Sequence, residues 1–327
     1  RRSPAGLQRV GLSGQVKAGG DICAALQVHL DFGPSESKTF RFILGQGEDH
    51  AHSKALAKDF SQPEKAEESF KNARSKWDLL LNKLQVETPH PEMDVVLNRW
   101  LQYQALSCRI WGRSAFYQSS GAYGFRDQLQ DVTSVLAILP EISKQHILRS
   151  ARHQFDAGDV LHWWHPPGGR GVRTRITDDL LWLVYVTAEY VLKTGDASIL
   201  DEEVPFRLGE PLEEDEEERY GHYETSDATY TIFEHCRRAL EHGDTQGPHG
   251  LPRIGSGDWN DGMNRVGIEG QGESVWLAWF LLENHQRFAD LCELKGETAL
   301  SEKHRDRAAE LKETINRVAW DDDWYLR

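Results

Sequence analysis

The sequence predicts a mainly α protein, part of an α/α toroid, entered through an antiparallel β segment. Three observations predict it: a hydrophobic period of two within the first 45 residues, a helical period over nearly all the rest, and glycine-rich aromatic loops between successive helices.

Residues 26–32 alternate, with Leu26, Val28, Leu30 and Phe32 on one face and Gln27, His29 and Asp31 on the other. That is the pattern of a half-buried strand. The polar turn at 33–37 leads to Phe40, Phe42 and Leu44, again at period two, so this part reads as the end of a larger sheet. From about residue 64 the period becomes helical. A charged amphipathic stretch at 64–86 precedes helices near 94–113, 127–139, 143–156, 179–193, 227–242, 274–295 and 301–319. Thr177 is placed as the N-cap of the 179–193 helix, with Asp178 and Asp179 in its first turn, and Gly195 as its stop. The acidic run 213–218 reads as a solvated surface stretch. Helix pairs with long loops on one side imply a toroid whose loops converge at one mouth. The helices are too few to close a six-hairpin barrel, so the sequence reads as a piece of a larger protein.

With 327 residues and 39% hydrophobic side chains, there is ample material for a core. The formal charge of -14 would repel a phosphate backbone and argues against nucleic acid. Eleven Trp supply flat apolar faces suited to sugar rings, although a Trp-rich core accounts for them equally well. Cys23, Cys108, Cys236 and Cys292 are scattered with no CxxC, so neither a zinc site nor a disulfide framework is indicated, and a reducing compartment fits. No apolar run reaches membrane-spanning length, and the first ten residues lack the apolar stretch of a signal peptide.

Three loops carry candidate chemistry. The first, residues 257–264, packs Asp258, Trp259, Asn260, Asp261 and Asn264 between glycines. Cleaving a glycosidic bond needs a carboxylic acid that protonates the leaving oxygen, with its pKa lifted above the free value of about 3.9. A turn satisfied by Asp and Asn side chains is the ordinary alternative; a calcium loop would need a ligand spacing that is absent here. The second is Phe125-Arg126-Asp127, with Asp131 one helical turn on: an Arg and Asp that could grip sugar hydroxyls, or a plain surface ion pair. The third runs from His162-Trp163-Trp164-His165 through Arg170, Arg173 and Arg175 to Asp178-Asp179. Trp164, Asp178 and Asp179 are sugar-contact candidates, and the arginines could face phosphate. The two histidines lack a third ligand at zinc spacing, so the metal reading is weak.

The stretches WGRSAFYQ at 111–118, GAYGFRDQLQD, HWWHPPGGRGVRTRITDDLLWL, GSGDWNDGMNRVG and GESVWLAWF together resemble glycoside hydrolase family 94, the inverting glycoside phosphorylases. The likeness runs from about residue 15 to the end. Within the family it is stronger to the C-terminal module of bacterial cyclic β-1,2-glucan synthases, and next to the 1,2-β-oligoglucan phosphorylases, than to cellobiose or chitobiose phosphorylases.

The resemblance implies a partial (α/α)6 toroid preceded by the end of an antiparallel β-sandwich and a helical linker. The chain then divides into 1–63 as sandwich, 64–90 as linker and 91–327 as the N-terminal part of the catalytic barrel. It makes Asp261 the general acid and Arg126, Asp127 and Trp259 the donor-sugar contacts. The family's phosphate-binding His and Thr have no counterpart here and are expected beyond residue 327. Cellobiose-type members carry an additional Arg where this sequence reads Gln118-Ser119-Ser120-Gly121, which removes phosphate contacts from that loop.

The implied activity is reversible phosphorolysis of a β-glucan, β-1,2-linked, giving α-glucose 1-phosphate. It needs no cofactor or metal and uses inorganic phosphate as co-substrate. An inverting hydrolase with Asp127 or Asp258 as base, and a non-catalytic glucan-binding module, are the rival readings. The implied partners are a β-glucan oligosaccharide, phosphate and the remainder of a parent chain, with no nucleic acid and no direct membrane contact from this segment. A homodimer stays open. A cytoplasmic location follows, tethered to the inner membrane through the parent protein. The 327 residues alone are expected to be inactive.

Overall fold

The structure, a computed structural model, describes residues 9–16, 19, 24–113, 121–166 and 168–326. Residues 114–118 of the first family motif, and the departure at Gln118-Ser119-Ser120, fall outside them. The chain forms two compact units, 1–76 and 77–327.

In the first unit, helix α1 (His50–Phe60) starts where the Asp49 side chain accepts the His52 backbone N–H at 2.7 Å. The expected strands are not paired: 24–46 makes no ladder among the described residues, and a turn closed by the Glu36 N–H on Gly33 O at 3.1 Å divides it. Alternation specifies which side chains share a face, but a strand exists only by pairing, and neither segment pairs here. Helix α2 (Pro63–Leu81) runs from this unit into the second.

The second unit is mainly helical. A helical stretch over 91–111 contains α3 (Pro91–Val95) and α4 (Leu101–Gln104), each followed by a π-helical segment, Val96–Trp100 and Ala105–Trp111. Then come α5 (Phe125–Thr133), α6 (Pro140–Ala151), α7 (Leu181–Thr194), α8 (Ile232–Gly243), α9 (Val275–Leu294) and α10 (Thr298–Val318). Helix α7 is apolar nearly all round and is accordingly buried between its neighbours α5, α6, α8 and α9, with Leu181, Leu183, Val184 and Val186 inaccessible. Its C-terminus is closed by Gly195 at φ 71°, as the sequence predicts. α9 and α10 pack side by side after the tight turn at 295–297.

Two small antiparallel sheets correct the expectation that nearly everything after residue 64 is helical. One has the order β1-β2-β3-β5, from Tyr123–Gly124, Leu161–His165, Arg170–Thr174 and Glu218–His222. The other pairs β4 (Glu203–Leu208) with β6 (Glu224–Thr231). The third candidate loop is thus largely the β2–β3 hairpin. The helix expected from 227 begins only at Ile232, where the Thr231 hydroxyl accepts the Glu234 N–H at 3.2 Å; the residues before it are strand β6.

Candidate active site

The first sheet and α5 deliver one wall of the site. β1 ends at Gly124, which leads directly into α5, and a Cβ there would lie 2.1 Å from Asp127 Oδ2. Glycine lets the Asp127 carboxylate fold back over its own helix start. Arg126, one position earlier, sends its guanidinium into the interior and is 7% exposed.

The other wall is made by two segments laced together. Ile176 pairs with both Gly255 and Gly257, the Ser256 N–H donates to Arg175 O at 3.1 Å, and the Thr177 N–H donates to Gly257 O at 3.0 Å. Gly255 has φ 60°, and a Cβ would stand 2.1 Å from the Arg175 carbonyl oxygen, so only glycine permits this approach. Thr177 is not the expected N-cap. Its hydroxyl donates to Ile254 O and Gly257 O, at 3.1 and 3.2 Å, while α7 begins at Leu181 without a side-chain cap. The lacing carries Asp178 and Asp179 alongside the 258–261 turn.

Arg126 joins what the lacing brings near. Its Nη2 is shared between Asp261 Oδ1 and Oδ2 at 2.8 and 2.9 Å. Its Nη1 donates to Asp178 Oδ1 at 3.1 Å and lies 3.8 Å from Asp179 Oδ1. Asp178 also accepts the Trp182 indole N–H at 3.0 Å. Burial, and then the neighbouring Asp179, push the Asp178 carboxyl well above the usual carboxylate range, against the charge of Arg126. Burial alone would weaken the charge on Arg126, but Asp179, Asp178 and Asp261 outweigh it and raise its pKa.

Access separates the carboxylates. The Asp261 side chain is 52% exposed, against 0% for Asp178 and 1% for Asp179. Asp258 is buried, accepting the Asn260 N–H at 2.9 Å and the Ser274 hydroxyl at 2.7 Å, while the Ser274 oxygen in turn caps α9 by accepting the Leu277 N–H. Asp258 therefore ties the turn to a helix start. Trp259 is half exposed, its indole N–H donating to Gln130 Oε1 at 3.2 Å. Asp261 is the open carboxylate of this group, beside an accessible indole.

Arg126, Asp178, Asp179 and Asp261 thus meet in one cluster, with Trp259 on the same turn as Asp261. The Asp127 side chain is half-buried, and no side-chain hydrogen bond of Asp127 is seen among the described residues. Trp164 is 3% exposed and stacks on His153 at a ring distance of 3.8 Å, so its indole faces are covered by the core. The arginines read as phosphate-facing are otherwise engaged. Arg173 holds Asp159 and donates to the carbonyls of Gly209 and Glu210, and Arg175 donates to those of Leu212, Glu213 and Glu216. The acidic run is anchored by these contacts rather than merely solvated. A cavity of about 710 Å³ lies beside Arg175, Ser256 and Ile268, but Arg126, Trp259 and Asp261 do not line it.

His162 is the residue whose place the sequence did not reveal. The β2–β3 register slips between Leu161 and Trp163, leaving His162 as an extra residue, and its Nδ1 lies 2.7 Å from Asp179 Oδ2. Its aromatic, glycine-rich setting was the only signal; the pairing with Asp179 is a tertiary contact. Among the described residues no three His, Cys, Asp or Glu side chains are grouped to hold a metal, and no helix is long and apolar enough to cross a membrane.

Residues 76–327 match the glycosyl hydrolase 94 superfamily catalytic domain, and residues 1–63 match the glycosyl hydrolase 94 supersandwich domain. The cyclic beta-(1,2)-glucan synthase NdvB of Rhizobium meliloti (strain 1021) is 40% identical over 97% of this chain and 11% of that protein. Solabiose phosphorylase of Paenibacillus borealis is 28% identical over 99% of this chain and 39% of that protein. The 1,2-beta-oligoglucan phosphorylase of Listeria innocua serovar 6a is 24% identical over 82% of this chain and 24% of that protein. The expected order below the synthase is therefore corrected: the N,N'-diacetylchitobiose phosphorylase of Vibrio proteolyticus, 27% identical over 93% of this chain, is more similar than the oligoglucan enzyme. This chain spans between about a tenth and two fifths of the length of these relatives. The chain belongs to the glycosyl hydrolase 94 family.

Proposed function

We propose that this chain is the donor-sugar side of an inverting glycoside phosphorylase acting on β-glucan, β-1,2-linked, within a cyclic β-1,2-glucan synthase. The observation that carries this reading is the single open carboxylate, Asp261, set beside Trp259 and in contact with buried Arg126. Phosphate is already an anionic nucleophile, so the reaction needs one acid and no second carboxylate to activate water. A hydrolase would need Asp258 or Asp127 as base; Asp258 is buried with both oxygens engaged, and Asp127 folds back over Gly124.

In this mechanism the glucosyl unit docks against Trp259 with hydroxyls directed at Arg126 and Asp127, while buried Asp178 and Asp179 hold the guanidinium from behind, which orients C1. Asp261 protonates the glycosidic oxygen, the C1–O bond breaks, and a phosphate oxygen bonds to C1 from the opposite face, giving α-glucose 1-phosphate and a shortened glucan. Phosphate is the co-substrate, held by residues outside this chain. The remaining parts of the reading are an (α/α)6 toroid, the division at 63 and 90, inactivity of the 327 residues alone, and a cytoplasmic place tethered through the parent protein.

The test is release of glucose 1-phosphate from β-1,2-gluco-oligosaccharides by the full-length parent enzyme, with and without phosphate. Release that requires phosphate is expected. Free glucose released without phosphate would establish the hydrolase, and binding with no product in either condition would establish a glucan-binding module.

A further inference from the structure

His162 is a partly buried titratable group at the edge of the carboxylate cluster that this mechanism leaves without a task. It sits at the β2 bulge with its side chain 19% exposed, 2.7 Å from Asp179 Oδ2. The other Asp179 oxygen, Oδ1, is buried, has no hydrogen-bond partner, and faces Arg126 Nη1 at 3.8 Å, outside hydrogen-bond reach. A buried acceptor without a donor is unfavourable, and a freely turning carboxylate would close that gap onto Arg126. The contact with His162 is what stands against the turn.

Charge works in the same direction. Asp178, Asp179 and Asp261 gather around one guanidinium, and His162 brings a second cation. Burial alone would favour neutral His162, but the charge and hydrogen bond of Asp179, and then Asp261, override it and raise the ring to about 9, against the opposing pull of Arg126. At neutral pH the ring is an imidazolium, and Nδ1 is a donor to Asp179.

We propose that His162 is a positioning residue: seated on Asp179 Oδ2, it keeps Asp179 Oδ1 turned toward Arg126 and so fixes the guanidinium that a hydroxyl of the donor glucosyl unit meets. The identity of that sugar rests on the phosphorylase reading; the positioning does not.

The test compares His162→Asn and His162→Gln in the full-length parent enzyme. The Asn amide can stand where Nδ1 stands and keep the contact without the charge, whereas the Gln amide reaches the Nε2 position. Binding of a β-1,2-gluco-oligosaccharide is followed by calorimetry from pH 6 to 10, with kcat, KM and Tm alongside. The wild type is expected to lose affinity by no more than about twofold as pH rises through about 9, because a neutral ring protonated on Nδ1 still donates to Asp179. His162→Gln should bind about tenfold more weakly at pH 7, with KM raised more than kcat is lowered. His162→Asn should recover most of that affinity across the whole pH range, and His162→Gln should stay weak across it. Wild-type binding by His162→Gln, better rescue by Gln than by Asn, or loss of binding that only tracks a fall in Tm in both variants would overturn the proposal. If the wild type binds glucan in this His162-dependent way but makes no glucose 1-phosphate, the phosphorylase reading fails and the positioning role stands.

Discussion

One nitrogen of Arg126 is shared between both carboxylate oxygens of Asp261, at 2.8 and 2.9 Å, although the residues lie 135 positions apart. The other amino group of the same guanidinium meets Asp178. Arg126 therefore joins a buried carboxylate to an exposed one. Delivery of a proton from Asp261 requires this contact to open, because the oxygen that would carry the proton faces Arg126. In the proposed mechanism a glucosyl hydroxyl arriving at Arg126 would supply the replacement partner.

Removing that guanidinium should cost more than one contact. Arg126→Ala leaves Asp178 and Asp179 buried without their shared cation, and breaking a buried pair costs about 3–5 kcal/mol. A clear drop in the urea midpoint is expected. Arg126→Lys keeps the charge but cannot present two amino groups to two carboxylates at once, so it should fold while kcat/KM falls by about a hundredfold.

The two tryptophans of the candidate site should part company. Trp259 is 50% exposed, so Trp259→Ala should change stability by about 1 kcal/mol or less and weaken glucan binding by about tenfold or more. Trp164 is buried against His153, so Trp164→Ala should destabilise by about 3–5 kcal/mol. Paired denaturation and glucan-binding measurements check both.

Asp258 is expected to matter for folding. Asp258→Asn replaces one of the two accepting oxygens that hold the Asn260 N–H and the Ser274 hydroxyl, at a cost of about 1–3 kcal/mol. Tm should fall, while kcat/KM of the folded enzyme should drop less than about tenfold. Complete inactivity in a variant of unchanged Tm would instead give Asp258 a chemical role.

Stability should decline on both sides of neutrality, for opposite reasons. His162 is raised to about 9, so its contribution is fully present below the unfolded value near 6.5 and is lost as pH climbs through 9. The shift corresponds to something on the order of 3 kcal/mol. Burial lowers His146 and His153 to about 3 and His235 and His304 to about 4. Their neutral forms favour the fold above 6.5, and that advantage disappears as pH falls toward 4. Tm measured from pH 4 to 10 should therefore fall at both ends, and His162→Asn should flatten only the alkaline side.

What could be read from the sequence was local. Ser274 and Gly195 mark helix ends by chemistry acting within a few residues, and the structure puts the ends of α9 and α7 there. Thr231 and Glu234 carry the same kind of N-terminal signal, and α8 starts there although the hydrophobic period extends back to 227. The strand pairings failed because they depend on partners: 26–32 alternates well and pairs with nothing described, whereas 161–174, rich in Gly and Pro, folds as a hairpin. Thr177 shows the same limit within one residue, a good local cap diverted to the carbonyls of Ile254 and Gly257. Residue types at 126, 178, 179 and 261 named the chemistry, but which side chains meet Arg126, and which carboxylate stays open, is set by the lacing of 175–177 against 254–257.

The most direct measurement is made on Asp261→Asn in the full-length parent enzyme, with phosphate present and two substrates compared. A β-1,2-gluco-oligosaccharide has a poor leaving group that must be protonated, whereas β-glucosyl fluoride departs without an acid. The account predicts that glucose 1-phosphate release from the oligosaccharide falls by about 10²–10⁴-fold, while phosphate-dependent release of α-glucose 1-phosphate from the fluoride stays near the wild-type rate. Unchanged turnover of the oligosaccharide, or an equal loss on both substrates, would contradict the assignment of Asp261 as the acid.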